Sequence, residues 1–251
     1  MSNLLNLILL TDSYKQSHYR QYPPGTQKVY SYIESRGGKY DNIMFFGLQR
    51  FILAYLTKPV TVDDVNQADE VCSSHGVPFN REGWMHIVEK HGGRLPIHIR
   101  AVKEGSLVPA KNVIVDIENT DPECAWLTCF IETALLQAVW YPSTVASRDK
   151  KIYETIKHYM RKTADDAAMA GIGFKHNDFG VRGVSSMESA KIGGMAHLVT
   201  SSVRITCQHC LMLVSTTMNT WLDSRSLLQS TARSHLGVIT SRLSYLHFAT
   251  C

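Results

Sequence analysis

The stretch that decides the fold runs from residue 113 to residue 124 and reads Val-Ile-Val-Asp-Ile-Glu-Asn-Thr-Asp-Pro-Glu-Cys. Its β-branched beginning, 113–117, predicts a strand. Asp121 can cap a helix whose first residue is Pro122, so a helix is predicted to begin just after the strand ends. The apolar segment 124–140 carries a Glu and a Gln and is too short to cross a bilayer. We therefore predict a core helix directly after a strand.

Strands and helices alternate on both sides of this stretch. Apolar residues that recur every three to four positions predict helices, and short alternating or continuous apolar runs predict strands. No internal repeat is present, and such a mixture indicates an α/β or α+β architecture. Further strands are predicted at 1–10, 28–33 and 97–102, and further helices at 44–56, 62–74, 82–90 and 147–168.

The composition is that of a soluble globular protein. Of the 251 residues, 44% are hydrophobic and 19% are charged, and the formal net charge is +4. Lys and Arg are scattered along the chain, so no nucleic-acid partner is indicated. The densest basic run, 148–151, lies among apolar residues at helical spacing, which predicts that this run forms a solvated helix face.

The cysteines and the N-terminus bear on the cellular compartment. Six cysteines stand at positions 72, 124, 129, 207, 210 and 251, without the compact spacing of a disulfide framework. Reduced cytosolic thiols are the simplest interpretation in a chain of this length. The first ten residues lack the basic region and the small-residue cleavage site of a secretory leader. We expect a cytoplasmic protein with no membrane partner.

A second informative stretch, 177–186, places an aromatic ring and a guanidinium on a glycine-containing turn. Phe179 can stack on a flat ring, and Arg182 can bind phosphate with its planar fork. Gly180 and Gly183 are expected to adopt backbone angles closed to other residues and to let a ligand approach the main chain. The pattern suits a heteroaromatic ring that bears an anionic group.

The same stretch also predicts the beginning of a helix. Ser185 and Glu188 have the spacing of a capping box, so the positive end of a helix dipole should face the turn. An ordinary strand-to-helix turn with a core Phe explains the residues equally well when they are taken alone.

Several separate blocks of sequence, spread over about the first 199 residues, can be compared with known families. The blocks are Thr11-Asp12-Ser13-Tyr14-Lys15, His18-Tyr19, Gln21-Tyr22-Pro23-Pro24, Lys28-Val29-Tyr30-Ser31-Tyr32, Glu118-Asn119-Thr120-Asp121-Pro122-Glu123, Trp140-Tyr141-Pro142, the stretch 177–186 and Ala196-His197-Leu198-Val199. A lone Asp-Phe-Gly also occurs in protein kinases, but the Gly-rich loop and the His-Arg-Asp loop of kinases are absent. Together the blocks resemble the nicotinamide phosphoribosyltransferase family.

The resemblance implies both a fold and a reaction. The fold is an N-terminal α/β region, 1–145, followed at 146–199 by the start of an incomplete α/β barrel of the type II phosphoribosyltransferase kind. The reaction transfers phosphoribosyl from phosphoribosyl pyrophosphate to nicotinamide, giving nicotinamide mononucleotide and pyrophosphate in NAD biosynthesis. Mg²⁺ bound with the pyrophosphate and a homodimeric enzyme are also implied.

The resemblance further implies four substrate-binding side chains. Phe179 forms one face of an aromatic sandwich around the pyridine, and Tyr14 from the partner subunit forms the other. Arg182 contacts the ribose-linked phosphate and the ring edge, and Arg36 contacts phosphate from the partner subunit. From the residues alone, a core Phe, a packing Tyr and solvated arginines stay open as alternatives.

Two departures from the family pattern concern the site. Asn177 stands where the family usually has His before the Asp, and His176 lies one position early. The Asp expected to contact the amide, the His of the family's Glu-His-Ser-Thr segment and most of the phosphoribosyl pyrophosphate site belong to later family segments that the resemblance does not reach. No catalytic residue and no metal ligand are therefore assigned from the sequence.

The tail, 200–251, does not resemble the family. If each new triplet takes the last base of one codon and the first two of the next, the run 222–238 can be read as Gly-Phe-Ser-Ile-Pro-Ala-Ala-Glu-His-Ser-Thr-Ile-Thr-Ser-Trp-Gly, which is the missing family segment. The tail is therefore interpreted as out of frame after codon 199 or 200.

Cys207 and Cys210 have the spacing of a zinc or redox pair, but there is no second pair and the tail is interpreted as out of frame, so no structural metal is expected.

Two alternative functions stay open. Nicotinate phosphoribosyltransferase differs in substrate by one charge, although the N-terminal blocks fit the nicotinamide enzyme better. A non-catalytic dimerisation module would bind an intact homologue through the face that carries Tyr14, and co-purification with an intact enzyme would identify it.

The frame interpretation predicts the nucleotide sequence of codons 195–251. One inserted or deleted base near codon 199 should restore the family segment over the whole run, because the amino acids fix the first two bases of most codons. Sequencing independent clones across these codons tests this. A run of codons whose shifted reading lacks the Glu-His-Ser-Thr segment would contradict it.

Overall fold

Five strands form two small antiparallel sheets within residues 6–202, the part of the chain that the computed structural model describes. The larger sheet has the order β1-β5-β3, with β5 between its two partners, and the smaller sheet pairs β2 with β4. The strands are β1 (Tyr30–Glu34), β2 (Asn42–Met44), β3 (Ile97–Ala101), β4 (Leu107–Pro109) and β5 (Val113–Asn119).

The register of the larger sheet follows from its apolar residues. Val115 and Ile117 on β5 are buried, and they lie opposite Ile33 on β1 and Ile99 on β3, respectively. Because side chains alternate between the two faces of a strand, this register places the apolar set on one covered face. The strands predicted at 28–33, 97–102 and 113–117 are confirmed, and their antiparallel pairing makes this region α+β.

Helices account for most of the remaining described residues. The helix predictions at 62–74 and 82–90 are confirmed, and each of those helices ends at a glycine with positive φ, as expected for a C-terminal cap. The helices are α1 (Leu48–Phe51, continued by a π-helical turn at Ile52–Leu56), α2 (Val62–His75), α3 (Arg81–His91), α4 (Leu127–Phe130), α5 (Glu132–Thr163), α6 (Asp166–Ala170) and α7 (Met187–His197).

The strand predicted within residues 1–10 is wrong over its described part. Leu7–Leu9 form a 3-10 turn, because the Asn6 side chain accepts the backbone N–H of Ile8 at 3.0 Å. The same side chain donates to the carbonyl oxygen of Asp64 at 2.7 Å and so ties the turn to α2. A local side-chain bond thus replaces the strand ladder that the apolar pattern predicted.

The helix predicted at 44–56 begins later than predicted. Met44 ends β2, and the backbone then turns at Gly47, whose φ is +113°. A Cβ at Gly47 would overlap the ring of Pro142 and the carbonyl oxygen of Ala138, so only glycine fits between the strand and α5.

The helices predicted at 124–140 and 147–168 are largely one element. The Asp121-Pro122 start signal is confirmed, since Asp121 accepts the N–H of Glu123 at 3.0 Å, but the turn it caps is 3-10 and α4 follows. Helix α5 then continues through Pro142 to Thr163. Position 145, where the boundary between the two domains was predicted, lies inside this helix. The boundary itself stays a prediction.

Two imidazoles and one ammonium group surround Asp121 at the same corner. Its Oδ2 lies 2.9 Å from Nε2 of His86, 2.6 Å from Nε2 of His91 and 3.1 Å from Nζ of Lys90. Burial alone would raise the pKa of Asp121, but the bonds from His86, His91, Glu123 N–H and Lys90 lower it well below its usual value. This carboxylate joins α3 to the beginning of the core helix.

The helical stretch Pro122–Thr163 is long and apolar enough to cross a membrane by length and composition. Its most apolar part is 56% buried within the chain, against the sheets and the other helices. Trp126 and Phe130 pack edge to face with Trp84 of α3 at 5.1 and 5.2 Å between ring centroids. Such burial fits the predicted core helix.

Glu104 is a buried carboxyl in the turn before β4. Its Oε1 accepts the backbone N–H groups of Gly47 at 3.0 Å and Gln49 at 2.8 Å and so supports the beginning of α1. Burial raises the pKa of Glu104 to about 7, and the backbone N–H donors oppose this shift only in part.

We predict that Glu104 makes stability fall as pH rises. The folded state holds the proton up to about pH 7, whereas the unfolded chain releases it near pH 4.3. The contribution is therefore full below that lower value and lost as pH rises through 7, on the order of 3 kcal/mol. Glu104→Gln keeps the acceptor oxygen and should remove this part of the pH dependence.

The measurement is the free energy of unfolding in urea between pH 4 and pH 8 for the parent and the variant. The exposed Glu89 gives a matched control, Glu89→Gln, which should leave the pH profile unchanged. Parallel profiles for the parent and Glu104→Gln would contradict the prediction.

Candidate functional site

Phe179 and Arg182 lie on one tight turn. Phe179 directly precedes the 3-10 turn Gly180–Arg182, and the N–H of Gly180 donates to Oδ1 of Asp178 at 2.7 Å. The Asp178 side chain thus closes the turn, and both the ring and the guanidinium stay at the surface, with Phe179 62% exposed. An aromatic ring and a planar cation are therefore both exposed on one turn, two groups that can stack on a flat ring and bind an anion.

The predicted role of the two glycines needs correction. Neither Gly180 nor Gly183 has a positive φ, and φ of Gly183 is −112°. Gly180 has a different effect, because a Cβ there would lie 2.9 Å from Oδ1 of Asp178 and would push that side chain aside. The glycine makes room for the carboxylate that holds the turn.

The predicted capping box is also displaced by one residue. Ser186, rather than Ser185, caps α7, and its Oγ accepts the N–H of Ser189 at 3.0 Å. Glu188 pairs with Arg50 and accepts the Tyr55 hydroxyl at 3.1 Å. The first turn of α7 is thereby attached to α1 and its π-helical extension.

Lys15 anchors the segment that carries Tyr14. Its side chain is buried, pairs with Glu132 and donates to the carbonyl oxygen of Cys129 at 3.1 Å. Thr11 donates from Oγ1 to the carbonyl oxygen of Phe130 at 2.8 Å. The segment is thus attached to the end of α4 and the beginning of α5, where orphan helix groups are available.

Tyr14 itself points to solvent. It belongs to the 3-10 helix Ser13–Arg20, is 58% exposed and contacts the ring of His18 at 5.2 Å between centroids. Arg36 is likewise exposed, in the loop between β1 and β2, where Gly37 and Gly38 have φ of +88° and +145°.

The single chain brings together two of the four predicted substrate-binding residues. Within residues 6–202, no hydrogen bond, ion pair or ring contact joins Tyr14 or Arg36 to Phe179 or Arg182. All four side chains are exposed within the described residues, and their substrate-binding roles stay predictions.

A buried cluster that sequence reasoning missed lies behind the Phe179 turn. Nδ1 of His197 is 2.7 Å from Oδ2 of Asp149, and Nε2 of His176 is 3.9 Å from Oδ1. Asp149 has no exposed surface, so the prediction that 148–151 forms a solvated face is wrong at this residue. The sequence contained one indication of this burial. Asp149 lies three positions after the apolar Ala146 and therefore on the same, buried side of α5.

Electrostatics of the cluster follow from burial and charge. Burial would raise the pKa of Asp149, but the hydrogen bond and charge of His197 outweigh it and lower that pKa. Burial lowers the pKa of His176. The cluster therefore holds one carboxylate between two imidazoles.

Two groups in the described residues could hold a metal ion by geometry. They are His86 with Asp121 and Cys124, and Asp149 with His176 and His197, in each of which the ligand atoms lie within 4.8 Å of one another. Mg²⁺ requires oxygen ligands in octahedral geometry, and neither group offers them. The Mg²⁺ that the resemblance implies, bound together with the pyrophosphate, stays a prediction.

Comparison with known proteins finds similarity over much of the chain. Residues 6–99 match the family described as nicotinamide phosphoribosyltransferase, N-terminal domain. Two curated relatives, both named nicotinamide phosphoribosyltransferase, extend the match: 49% identity over 199 residues to the Xanthomonas campestris protein, and 33% over 217 residues to the Acinetobacter baylyi protein.

The match covers much of this chain and less than half of each relative. It spans 79% of this chain and 42% of each of those two relatives. Among solved structures, human nicotinic acid phosphoribosyltransferase aligns with a TM-score of 0.51 and 16% identity over 77% of this chain and 35% of that chain. At this identity the likeness concerns the fold alone, and it agrees with the predicted phosphoribosyltransferase architecture.

Proposed function

We propose that the chain is the N-terminal part of a nicotinamide phosphoribosyltransferase, which transfers phosphoribosyl from phosphoribosyl pyrophosphate to nicotinamide in NAD biosynthesis. The observation that carries the proposal is the exposed Phe179 and Arg182 pair on one turn, in a chain whose curated relatives bear that name. As written, the chain spans 42% of those relatives, so it supplies part of the site.

The proposed reaction depends on the positioning of its two substrates more than on proton transfer. The pyridine nitrogen of nicotinamide has a free lone pair, so no general base is required for its attack on the ribose carbon. As the bond to pyrophosphate breaks, the ribose gains oxocarbenium character, and catalysis comes from orientation and charge stabilisation. Phe179 would hold the ring plane, and Arg182 would bind the ribose-linked phosphate.

Tyr14 and Arg36 would complete the site from the partner subunit of a homodimer. Two facts support this arrangement: both side chains are exposed, and within the chain neither contacts the Phe179 turn. The burial of Lys15 fixes the segment of Tyr14, so that the ring is preorganised before a partner arrives.

Mg²⁺ would arrive with the pyrophosphate, whose oxygens supply the ligands that the described residues lack. A cytoplasmic location is supported by the free thiols of Cys72, Cys124 and Cys129. The proposal includes no nucleic-acid and no membrane partner.

We predict that Phe179→Ala weakens nicotinamide binding by about 1–3 kcal/mol in the frame-restored protein, since base–aromatic stacking has that magnitude. Calorimetric titration measures the change. Phe174 offers a matched control, because it is 54% exposed and lies only five residues earlier. Phe174→Ala should leave the affinity unchanged, and an equal loss in both variants would remove Phe179 from the site.

We also predict that the 251-residue chain forms no mononucleotide, whereas the frame-restored product does. Positioning is what this chemistry depends on, and the resemblance places most of the phosphoribosyl pyrophosphate site in later family segments. Both proteins are assayed with nicotinamide and phosphoribosyl pyrophosphate. Comparable turnover by the 251-residue chain would contradict the assignment of essential groups to later family segments, and co-purification with an intact homologue would favour the dimerisation module.

A further inference from the structure

We propose that Asp149, His176 and His197 form a binding site for a transition-metal dication, with Zn²⁺ as its occupant. The three residues come from different parts of the chain: α5, the loop before the Phe179 turn, and α7. One ligand atom from each lies within 4.8 Å of the others. The site is separate from the surface that carries Phe179 and does not depend on the proposed reaction.

The distances bracket those of a zinc site. Ligands at about 2.0–2.2 Å from Zn²⁺ lie about 3.4 Å from one another in a tetrahedron. The observed separations are 2.7 Å between His197 Nδ1 and Asp149 Oδ2, and 3.9 Å between His176 Nε2 and Asp149 Oδ1. The tetrahedral spacing requires the shorter separation to lengthen by about 0.7 Å and the longer one to shorten by about 0.5 Å. An ion bound there would displace the proton that His197 and Asp149 share.

Unsatisfied buried atoms concentrate at this place. Nε2 of His197 and Nδ1 of His176 are both buried without a hydrogen-bond partner, and the His197 side chain is only 2% exposed. Their rings contact each other edge to face at 4.7 Å between centroids. The two unpartnered atoms are the ring nitrogens opposite the proposed ligand atoms, so each of them would carry the ring proton when the other nitrogen binds the ion.

The donor set selects the metal. Two imidazoles and one carboxylate are typical of Zn²⁺ sites that keep a fourth position for another ligand, whereas Mg²⁺ and Ca²⁺ require mostly oxygen. Arg148 lies at the rim, with Nε 3.3 Å from Oδ1 of Asp149, and its charge opposes the metal. Its side chain is 57% exposed, so it can move outward into water.

A bound ion would fix the loop that ends in the Phe179 turn. His176 stands three residues before Phe179, and Ser201 already donates from Oγ to the carbonyl oxygen of His176 at 2.8 Å. Ligation of His176 to α5 and α7 would add a second, stronger attachment and would protect the loop against opening.

The test uses the 251-residue chain, stripped of metal with a chelator and titrated with Zn²⁺ in a calorimeter. Because Cys207 and Cys210 in the tail have zinc-like spacing, all measurements are made in a Cys207→Ser, Cys210→Ser background. We expect one ion per chain. His176→Ala and Asp149→Asn should weaken binding by about tenfold or more, and His158→Ala, an exposed histidine on the same α5, should not.

Substitution with Co²⁺ makes the result independent of how the variants fold. The background chain should show visible d–d absorption without a thiolate charge-transfer band, as nitrogen and oxygen ligands require. Failure of the background chain to bind either ion, or binding that His176→Ala leaves unchanged in a chain with parent-like circular dichroism, would overturn the proposal.

Discussion

The contact between Gly47 and Pro142 is the constraint on which the described structure depends. It lets the backbone after β2 approach α5 so closely that no side chain fits between them. At this distance Ser143 exchanges hydrogen bonds with the main chain of Phe46, donating to its carbonyl oxygen and accepting its N–H at 3.1 and 3.0 Å. Ser147 accepts the N–H of Met44 one turn later. A proline inside a helix removes a backbone donor. Here the ring of Pro142 packs against Gly47, which follows β2.

Once α5 is placed, α7 and the Phe179 turn follow. Tyr141 donates to the carbonyl oxygen of Ser189 at 3.3 Å, and a Cβ at Gly193 would lie 2.5 Å from the same hydroxyl. The glycine therefore lets α7 lie directly on α5. Glu188 then attaches the first turn of α7 to Arg50. The packing of α7 on α5 and the ion pair between Glu188 and Arg50 thus fix the position of the turn that carries Phe179.

The elements that sequence reasoning predicted correctly are those with local causes. A β-branched run specifies β5, and the pairing of Asp121 with Pro122 specifies where the helical region begins. Three of the errors have a different origin, because each depends on a partner distant in the chain. Asn6 forms a turn that is tied to α2, Gly47 delays a helix because of Pro142, and Asp149 is buried because of His197. No window of neighbouring residues contains those partners.

The predicted substrate-binding residues likewise divide into features with local causes and features that depend on distant contacts. The aromatic ring and guanidinium of Phe179 and Arg182 could be recognised because they share one short stretch, and the structure keeps them together. In the segment of Tyr14, the structure distinguishes anchoring residues from an exposed one, which the sequence does not. Thr11 and Lys15 bond to the main chain of α4, whereas Tyr14 stays exposed. A polar residue that is buried and fully paired has no capacity left for a ligand. The exposed aromatic between such anchors is therefore the member of the block that is free to bind.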